Sequence, residues 1–205
     1  LSVSVDNHKI VKNIGLRKLE VINEKDKIGK SLIFRVNDID IFCKGANWIP
    51  ADAFPSRQTP EVIRSLLENA KAANMNMIRV WGGGQYEKDF FYEICDELGI
   101  LIWQDLMFSC SLYPSTKEFV KSVEKEVVYQ AKRLRDYACL AIWCADNEVI
   151  GALTWYPESK KNRDAYLVNY DRLNIGCEKA IAIGDPTRLF WPSSPCAGPK
   201  DFSDN

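Results

Sequence analysis

Ala141-Ile142-Trp143-Cys144-Ala145-Asp146-Asn147-Glu148 is an apolar run that stops on an amide followed by a carboxylate. The run reads as a buried strand. In a chain of alternating strands and helices, the carboxyl ends of the strands are where chemistry sits. A Glu at such a place can donate a proton to a departing oxygen and later take one from water. Acetal cleavage needs that proton transfer together with a second carboxylate, and no second one is evident here. A Glu at this position can also simply cap the next segment. Asn147 is placed to hydrogen-bond a hydroxyl, or alternatively to form a turn after the strand.

The same strand-end logic selects other residues. Arg79 lies inside the apolar segment Met75–Trp81, and an inward-facing Arg needs a carboxylate partner. Asp105 stands at the end of the strand read at Ile100–Trp103, where it can accept two hydroxyl hydrogens or serve an ion pair. Trp48 and Trp81 offer flat apolar faces with an N–H donor, suited to the C–H face of a sugar ring or to ordinary core packing. Trp155 follows Glu148 on a loop that can close over a subsite. Asn47 and Asp52 read as braces of the first loop. Gly82-Gly83-Gly84 has no following Lys-Ser/Thr, so it reads as a close backbone approach and not as a phosphate cradle. Ser193-Ser194 lacks the Gly-x-Ser-x-Gly setting of a nucleophile.

Composition narrows the field further. The 205 residues are 46% hydrophobic and 27% charged with a net charge of −1. That describes a globular chain with no basic face for nucleic acid and no membrane-spanning stretch. His8 is the only histidine, which argues against His-based triads and His-rich metal sites. No metal or cofactor is expected. The seven cysteines form no CxxC pair, and Cys95, Cys139 and Cys144 sit in apolar runs as buried free thiols. No Asn-x-Ser/Thr acceptor occurs, which points to a cytoplasmic protein. The start at Leu1 shows neither Met nor leader and reads as an internal point of a longer chain.

Two rhythms position these residues. Up to about Phe42 the pattern has period two: strands at Leu16–Ile22 and Leu32–Val36, a charged turn at Lys25–Lys30, and an Asn37-Asp38 turn into Ile39–Phe42. Beyond it, strands alternate with helices. Thr59-Pro60 opens the first helix, with Val62, Ile63, Leu66, Leu67, Ala70 and Ala73 on one face. Tyr86–Leu98 is a second helix stopped by Gly99. A capping box at Ser115…Glu118 opens a third, running through Leu134. Cys139–Trp143 is the strand before the Asn-Glu pair. A last helix spans about Asp164–Ile183, before a strand at Leu189–Trp191. Counting Ile41-Phe42 as the first, about five parallel strands are expected. This α/β series predicts an incomplete (β/α)8 TIM barrel of about five βα units over residues 41–205. Before it, residues 1–40 are expected to be the last strands of an immunoglobulin-like β-sandwich. No Gly-x-Gly-x-x-Gly follows the first strand, so a dinucleotide site is not expected.

Lys44-Gly-Ala-Asn-Trp-Ile-Pro-Ala-Asp52, Ile78-Arg-Val-Trp-Gly-Gly-Gly84, Ile102-Trp-Gln-Asp-Leu-Met-Phe108, Asn147-Glu148 and Trp191-Pro-Ser-Ser-Pro195 occur here in one order. In type, order and spacing they resemble the β-mannosidases of glycoside hydrolase family 2, from about Leu16 onward. The resemblance implies a retaining exo-glycosidase acting on terminal β-linked mannose. Glu148 would be its acid/base, and Asn147 would contact the sugar 2-hydroxyl. Arg79 would contact a nucleophilic Glu from a seventh strand, beyond this chain. The resemblance departs at Asp146, where the family has Gly-Asn-Asn-Glu, and at Asp136-Tyr137, where it has His-Pro. If Asp146 and Glu148 interact, the proton on Glu148 is held more tightly. A sister activity on β-galactosides, β-glucuronides or β-glucosaminides stays open, as does a non-catalytic sugar-binding relic. Expressed alone, the 205 residues are expected to be inactive and to self-associate through open sheet edges.

Overall fold

The structure, a computed structural model, describes residues 1–201. It opens with an antiparallel hairpin of β1 (Ser2–Val5) and β2 (His8–Val11). The sequence reading names no strand this early. All eight hairpin residues are exposed, so neither strand has a buried face to set its pattern.

A three-stranded antiparallel sheet follows, β3 (Leu19–Ile22), β4 (Ile33–Val36) and β5 (Ile39–Ile41), in that spatial order. Asn37 and Asp38 join β4 to β5 with φ of 50° and 66°. Positive φ at both central residues is the geometry of a tight two-residue hairpin turn, and Asn and Asp tolerate it best after Gly.

Five parallel strands form the central sheet: β6 (Gly45–Trp48), β7 (Met77–Val80), β8 (Leu101–Asp105), β9 (Leu140–Cys144) and β10 (Phe190–Trp191). The expected count holds, but the first member differs. Ile41 belongs to the antiparallel sheet, paired with Phe34, and Phe42 is exposed. The strand beside β7 is the more polar Gly45–Trp48. Gly45 is required there, because a Cβ would lie 1.6 Å from the Met77 carbonyl oxygen. Ile41-Phe42 has the apolarity of a buried strand, yet the short turn commits Ile41 to β4.

Helices α1 (Pro60–Ala72), α2 (Asp89–Leu98), α3 (Lys117–Leu134) and the long α6 (Arg163–Gly184) cross one face of this sheet, and the short α4 (Val149–Ala152) and α5 (Pro157–Lys161) lie against α6. Thr59 caps α1 by accepting the Val62 N–H. Ile63 and Leu67 are fully buried on α1, whereas Val62 and Leu66 from the expected apolar face are exposed. Thr116, not Ser115, caps α3 by accepting the Phe119 N–H. The Ser115 hydroxyl instead donates to Asn169 Oδ1 at 2.8 Å, tying the loop to α6. The turns α4 and α5 are too short for helical periodicity to reveal.

Strand alternation sorts the two faces of the sheet. Ile78, Val80, Ile102 and Trp143 pack with Ile63, Leu67, Phe91, Val127 and Ile181 from the helices. On the other face Met77, Ile142, Cys144 and Trp191 form a smaller cluster with Phe34 of β4. All seven cysteines are free, with Cys95, Cys139, Cys144 and Cys177 buried. Among the described residues no helix is long and apolar enough to cross a membrane.

Gly99 ends α2 at φ 70°, with no atom within 4 Å of where a Cβ would stand. Its substitution therefore tests backbone conformation alone. Gly99→Ala is expected to lower unfolding stability by about 1–2 kcal/mol, read as a shift of the urea midpoint with unchanged slope.

Candidate active site

Parallel pairing places Asn47 beside Arg79 and Arg79 beside Trp103. Paired residues point to the same face, and Asp105 lies two residues beyond Trp103, so all four side chains share the face opposite the helices. There the Arg79 guanidinium donates to both oxygens of Asp105, from Nη2 at 2.8 Å and Nε at 3.3 Å. It also donates to Asn147 Oδ1 at 2.9 Å and Asn47 Oδ1 at 3.4 Å.

Asp105 is fully buried. Besides Arg79 it accepts the Gly82 N–H at 3.0 Å and the Trp103 indole N–H at 2.9 Å. Burial pushes its carboxyl pKa up, opposed by the Arg79 charge and these donors. A carboxylate so enclosed has no exposed oxygen to offer a sugar hydroxyl. Of the two roles the sequence allows, the geometry supplies the ion pair: Asp105 holds Arg79. Gly82 makes the close approach expected of the glycine run, since a Cβ would come within 2.6 Å of the Leu106 and Phe108 carbonyl oxygens.

Asn147 and Glu148 lie just past β9, where the parallel ladder continues as single bridges from Asn147 to Ser109 and to Ser194. Asn147 Nδ2 donates to Ser109 Oγ and Cys110 Sγ, each at 3.3 Å. With Arg79 on its oxygen, the Asn147 amide is held at both ends. Glu148 is half-buried and has φ 60° and ψ 16°. A left-handed conformation at a non-glycine residue costs on the order of 1–3 kcal/mol and persists only where surroundings enforce it. Here the Glu148 N–H donates to the Ser194 carbonyl at 2.9 Å, and the Glu148 carbonyl accepts the Ala152 N–H at 2.8 Å. Its Oε2 accepts the Cys110 thiol at 3.5 Å. Cys110 also has positive φ, at 52°. The sequence reading did not single out Ser109 or Cys110. Neither type announces a role, and both reach the site only because the loop after β8 runs alongside the loop after β9.

Asp146 turns away from this network. Its oxygens face Ser193, the Val149 N–H and Tyr170. Among the described contacts of Glu148 the Asp146 carboxylate does not appear, so the geometry gives no direct partnership between the two.

The tryptophans divide. The Trp48 indole N–H donates to the buried Glu87 at 3.1 Å, and its ring lies 5.0 Å from that of Phe91. Trp48 is half-buried and packs against the core, because its strand register turns it toward α2. Trp81 follows β7 half-buried, its ring lying against Gly83, where a Cβ would be 2.0 Å from it. Trp155 is 47% exposed, in the turn between α4 and α5. Asp52 braces the loop after β6, accepting the Phe54 N–H at 2.8 Å and pairing with Arg57 at 2.9 Å.

The structure thus joins Asn47, Arg79, Asp105 and Asn147 into one network at the carboxyl ends of the parallel strands, with Glu148 attached through Cys110. Fold and site define an α/β chain whose polar apparatus is gathered at strand ends. No family model matches the chain. It is 44% identical over 193 residues to the β-mannosidase of Bos taurus, covering 92% of this chain and 22% of that protein. It is 48% identical over 205 residues to β-mannosidase B of Aspergillus niger, covering 96% and 24% respectively. The crystal structure of a β-D-mannosidase from Dictyoglomus thermophilum superposes with a TM-score of 0.80 at 41% identity, covering 93% of this chain and 23% of that one. The chain is therefore homologous to one segment of the β-mannosidases and spans less than a quarter of the length of these relatives.

Proposed function

We propose that this chain is the first part of the catalytic barrel of a retaining β-mannosidase, beginning at Gly45, preceded by the last strands of a β-sandwich that end at Ile41. The observation that carries the reading is the Asn147-Glu148 pair, locked to Arg79–Asp105 at the carboxyl ends of parallel strands. In a closed barrel the face now shared with Phe34 would meet side chains of further strands. Until then β6 and β10 are open edges, the basis for expecting the isolated segment to self-associate.

In this mechanism Glu148 donates a proton to the glycosidic oxygen as a second carboxylate attacks the anomeric carbon. Water then cleaves the glycosyl-enzyme, its proton taken by Glu148. The second carboxylate would come from a later strand of the longer protein. Asp105 is enclosed by Arg79, and Asp146 faces Tyr170 and Ser193. The second lone pair of Asn147 Oδ1, beyond the one that accepts from Arg79, would accept the 2-hydroxyl, with Trp81 and Trp155 as apolar walls. Arg79 presents its remaining edge toward the nucleophile.

The test is a panel of aryl β-glycosides with the longer protein that carries this segment. The mannoside is expected to be turned over in preference to the galactoside, glucoside, glucuronide and glucosaminide, with the β-anomer of mannose released first. Preference for another sugar, release of the α-anomer, or binding without turnover would each sink the reading.

A further inference from the structure

The loop after β8 is tied to the end of β9 through its backbone. The Asn147 N–H donates to the Phe108 carbonyl at 3.0 Å, and the Cys110 N–H donates back to the Asn147 carbonyl at 2.8 Å. The Tyr113 hydroxyl closes this loop on itself, accepting the Ser109 N–H at 2.9 Å and donating to the Ser109 carbonyl at 3.2 Å. Asn169 on α6 donates to the Tyr113 carbonyl at 2.8 Å. Cys110 and Glu148 therefore meet on backbones held by their neighbours, both left-handed, with φ of 52° and 60°. Two non-glycine residues in that conformation at one strand end are costly, and such strain collects at functional sites.

The Cys110 sulfur stands among three polar side chains. Asn147 Nδ2 and Ser109 Oγ each donate to it at 3.3 Å, and it lies 3.5 Å from Glu148 Oε2. Among the described residues no other polar side chain reaches the Glu148 carboxylate. An ionised carboxylate can only accept, so the thiol is the donor in that pair. Donation to Oε2 fixes the rotation of the carboxyl group. It also fills Oε2 with a hydrogen, so the mobile proton of the acid form goes to Oε1, the oxygen left free to meet a departing alkoxide.

We propose that Cys110 is a positioning residue for Glu148: its thiol holds Oε2, directs the proton to Oε1, and ties the carboxylate to the Asn147 amide. Sulfur suits the task. A thiol is a weak donor, so it orients the carboxyl group without opposing the gain and loss of charge that Glu148 undergoes in each cycle. A cation in its place would hold the carboxyl ionised and remove the acid. The role in turnover rests on Glu148 being the acid/base, whereas the thiol–carboxylate hydrogen bond does not.

The test uses variants of the longer protein that carries this segment. Cys110→Ala should lower kcat by about tenfold on a β-mannoside with a poor leaving group, KM unchanged, short of the 10²–10⁴ that a general acid itself supplies. On an aryl mannoside whose leaving group departs unprotonated, the first step should slow by less than about twofold. Adding Cys110→Ala to Glu148→Gln should cost nothing further on the poor substrate, because the acid that the thiol directs is already gone. Cys110→Ser keeps a donor and should recover most of the loss. The hydrogen bond itself is read without substrate. The infrared S–H band that Cys110→Ala removes should move to higher frequency in Glu148→Gln, since an amide oxygen is a weaker acceptor than a carboxylate. Four results would each overturn the proposal: an equal loss on both kinds of substrate, a further tenfold loss in the double variant, a Ser variant no better than the Ala variant, or an unmoved S–H band. Absence of mannoside turnover in wild type would instead refute the proposed function, with the S–H band still judging the bond between Cys110 and Glu148.

Discussion

Glu148→Gln in the longer protein that carries this segment should lower kcat/KM for β-mannosides with poor leaving groups by about 10²–10⁴, the range supplied by a positioned general acid–base. The amide keeps the size of the side chain but has no proton to give to a departing alkoxide. Substrates whose leaving group departs without protonation should lose much less in the first step. Their glycosyl-enzyme should then accumulate, because water has lost its base. A burst of released phenol followed by a slow steady state is the expected trace. The position of Glu148 makes this a clean experiment. Its backbone is held by Ser194 and Ala152 and its carboxylate by a single thiol, Cys110, so the substitution disturbs little of the fold. Undiminished turnover of an alkyl β-mannoside by the variant would remove Glu148 from the mechanism.

Arg79→Met should be the most destabilising single change at the site, by about 3–5 kcal/mol, the cost of leaving a buried charge without its partner. The Asp105 side chain is wholly inaccessible, while that of Arg79 is 19% exposed. Removing the Arg therefore strands the more deeply buried group. Asp105 can escape only by taking a proton, a direction its burial already favours. Arg79→Met combined with Asp105→Asn should recover part of the loss, since no charge is then left in the interior. A double-mutant cycle on chemical denaturation midpoints measures the coupling directly. Additive single-mutant effects would mean that the two groups do not interact as the geometry has them. Arg79→Met also removes the anchor of the Asn147 amide, so any activity that survives should show a raised barrier to the chemical step.

The relation of sequence to structure is clearest in the strands that carry these residues. Met77–Val80, Leu101–Asp105 and Leu140–Cys144 were legible because a strand buried on both faces is a short continuous apolar run between turn signals. Helix ends were legible where they carry their own chemistry, as with Thr59-Pro60 and Gly99. The same local signals misassigned Ile41, whose apolarity fits either sheet, and placed the cap of α3 one residue early at Ser115. Both choices turn on partners distant in sequence: Phe34 across the hairpin for Ile41, and Asn169 on α6 for Ser115.

Residue type and spacing singled out Asn147-Glu148, Arg79 and Asp105 as candidates, because polar groups at strand ends stand out against apolar strands. Their contacts were decided between strands. Parallel register set Arg79 facing Asp105 and Asn147, and enclosed Asp105 so fully that it holds the guanidinium and offers nothing outward. Register also turned Trp48 into the core against Phe91, and the packing of two neighbouring loops brought Cys110 to Glu148. A sequence records what each side chain can donate, accept or bury. Which of those capacities is left unfilled depends on neighbours that only folding supplies.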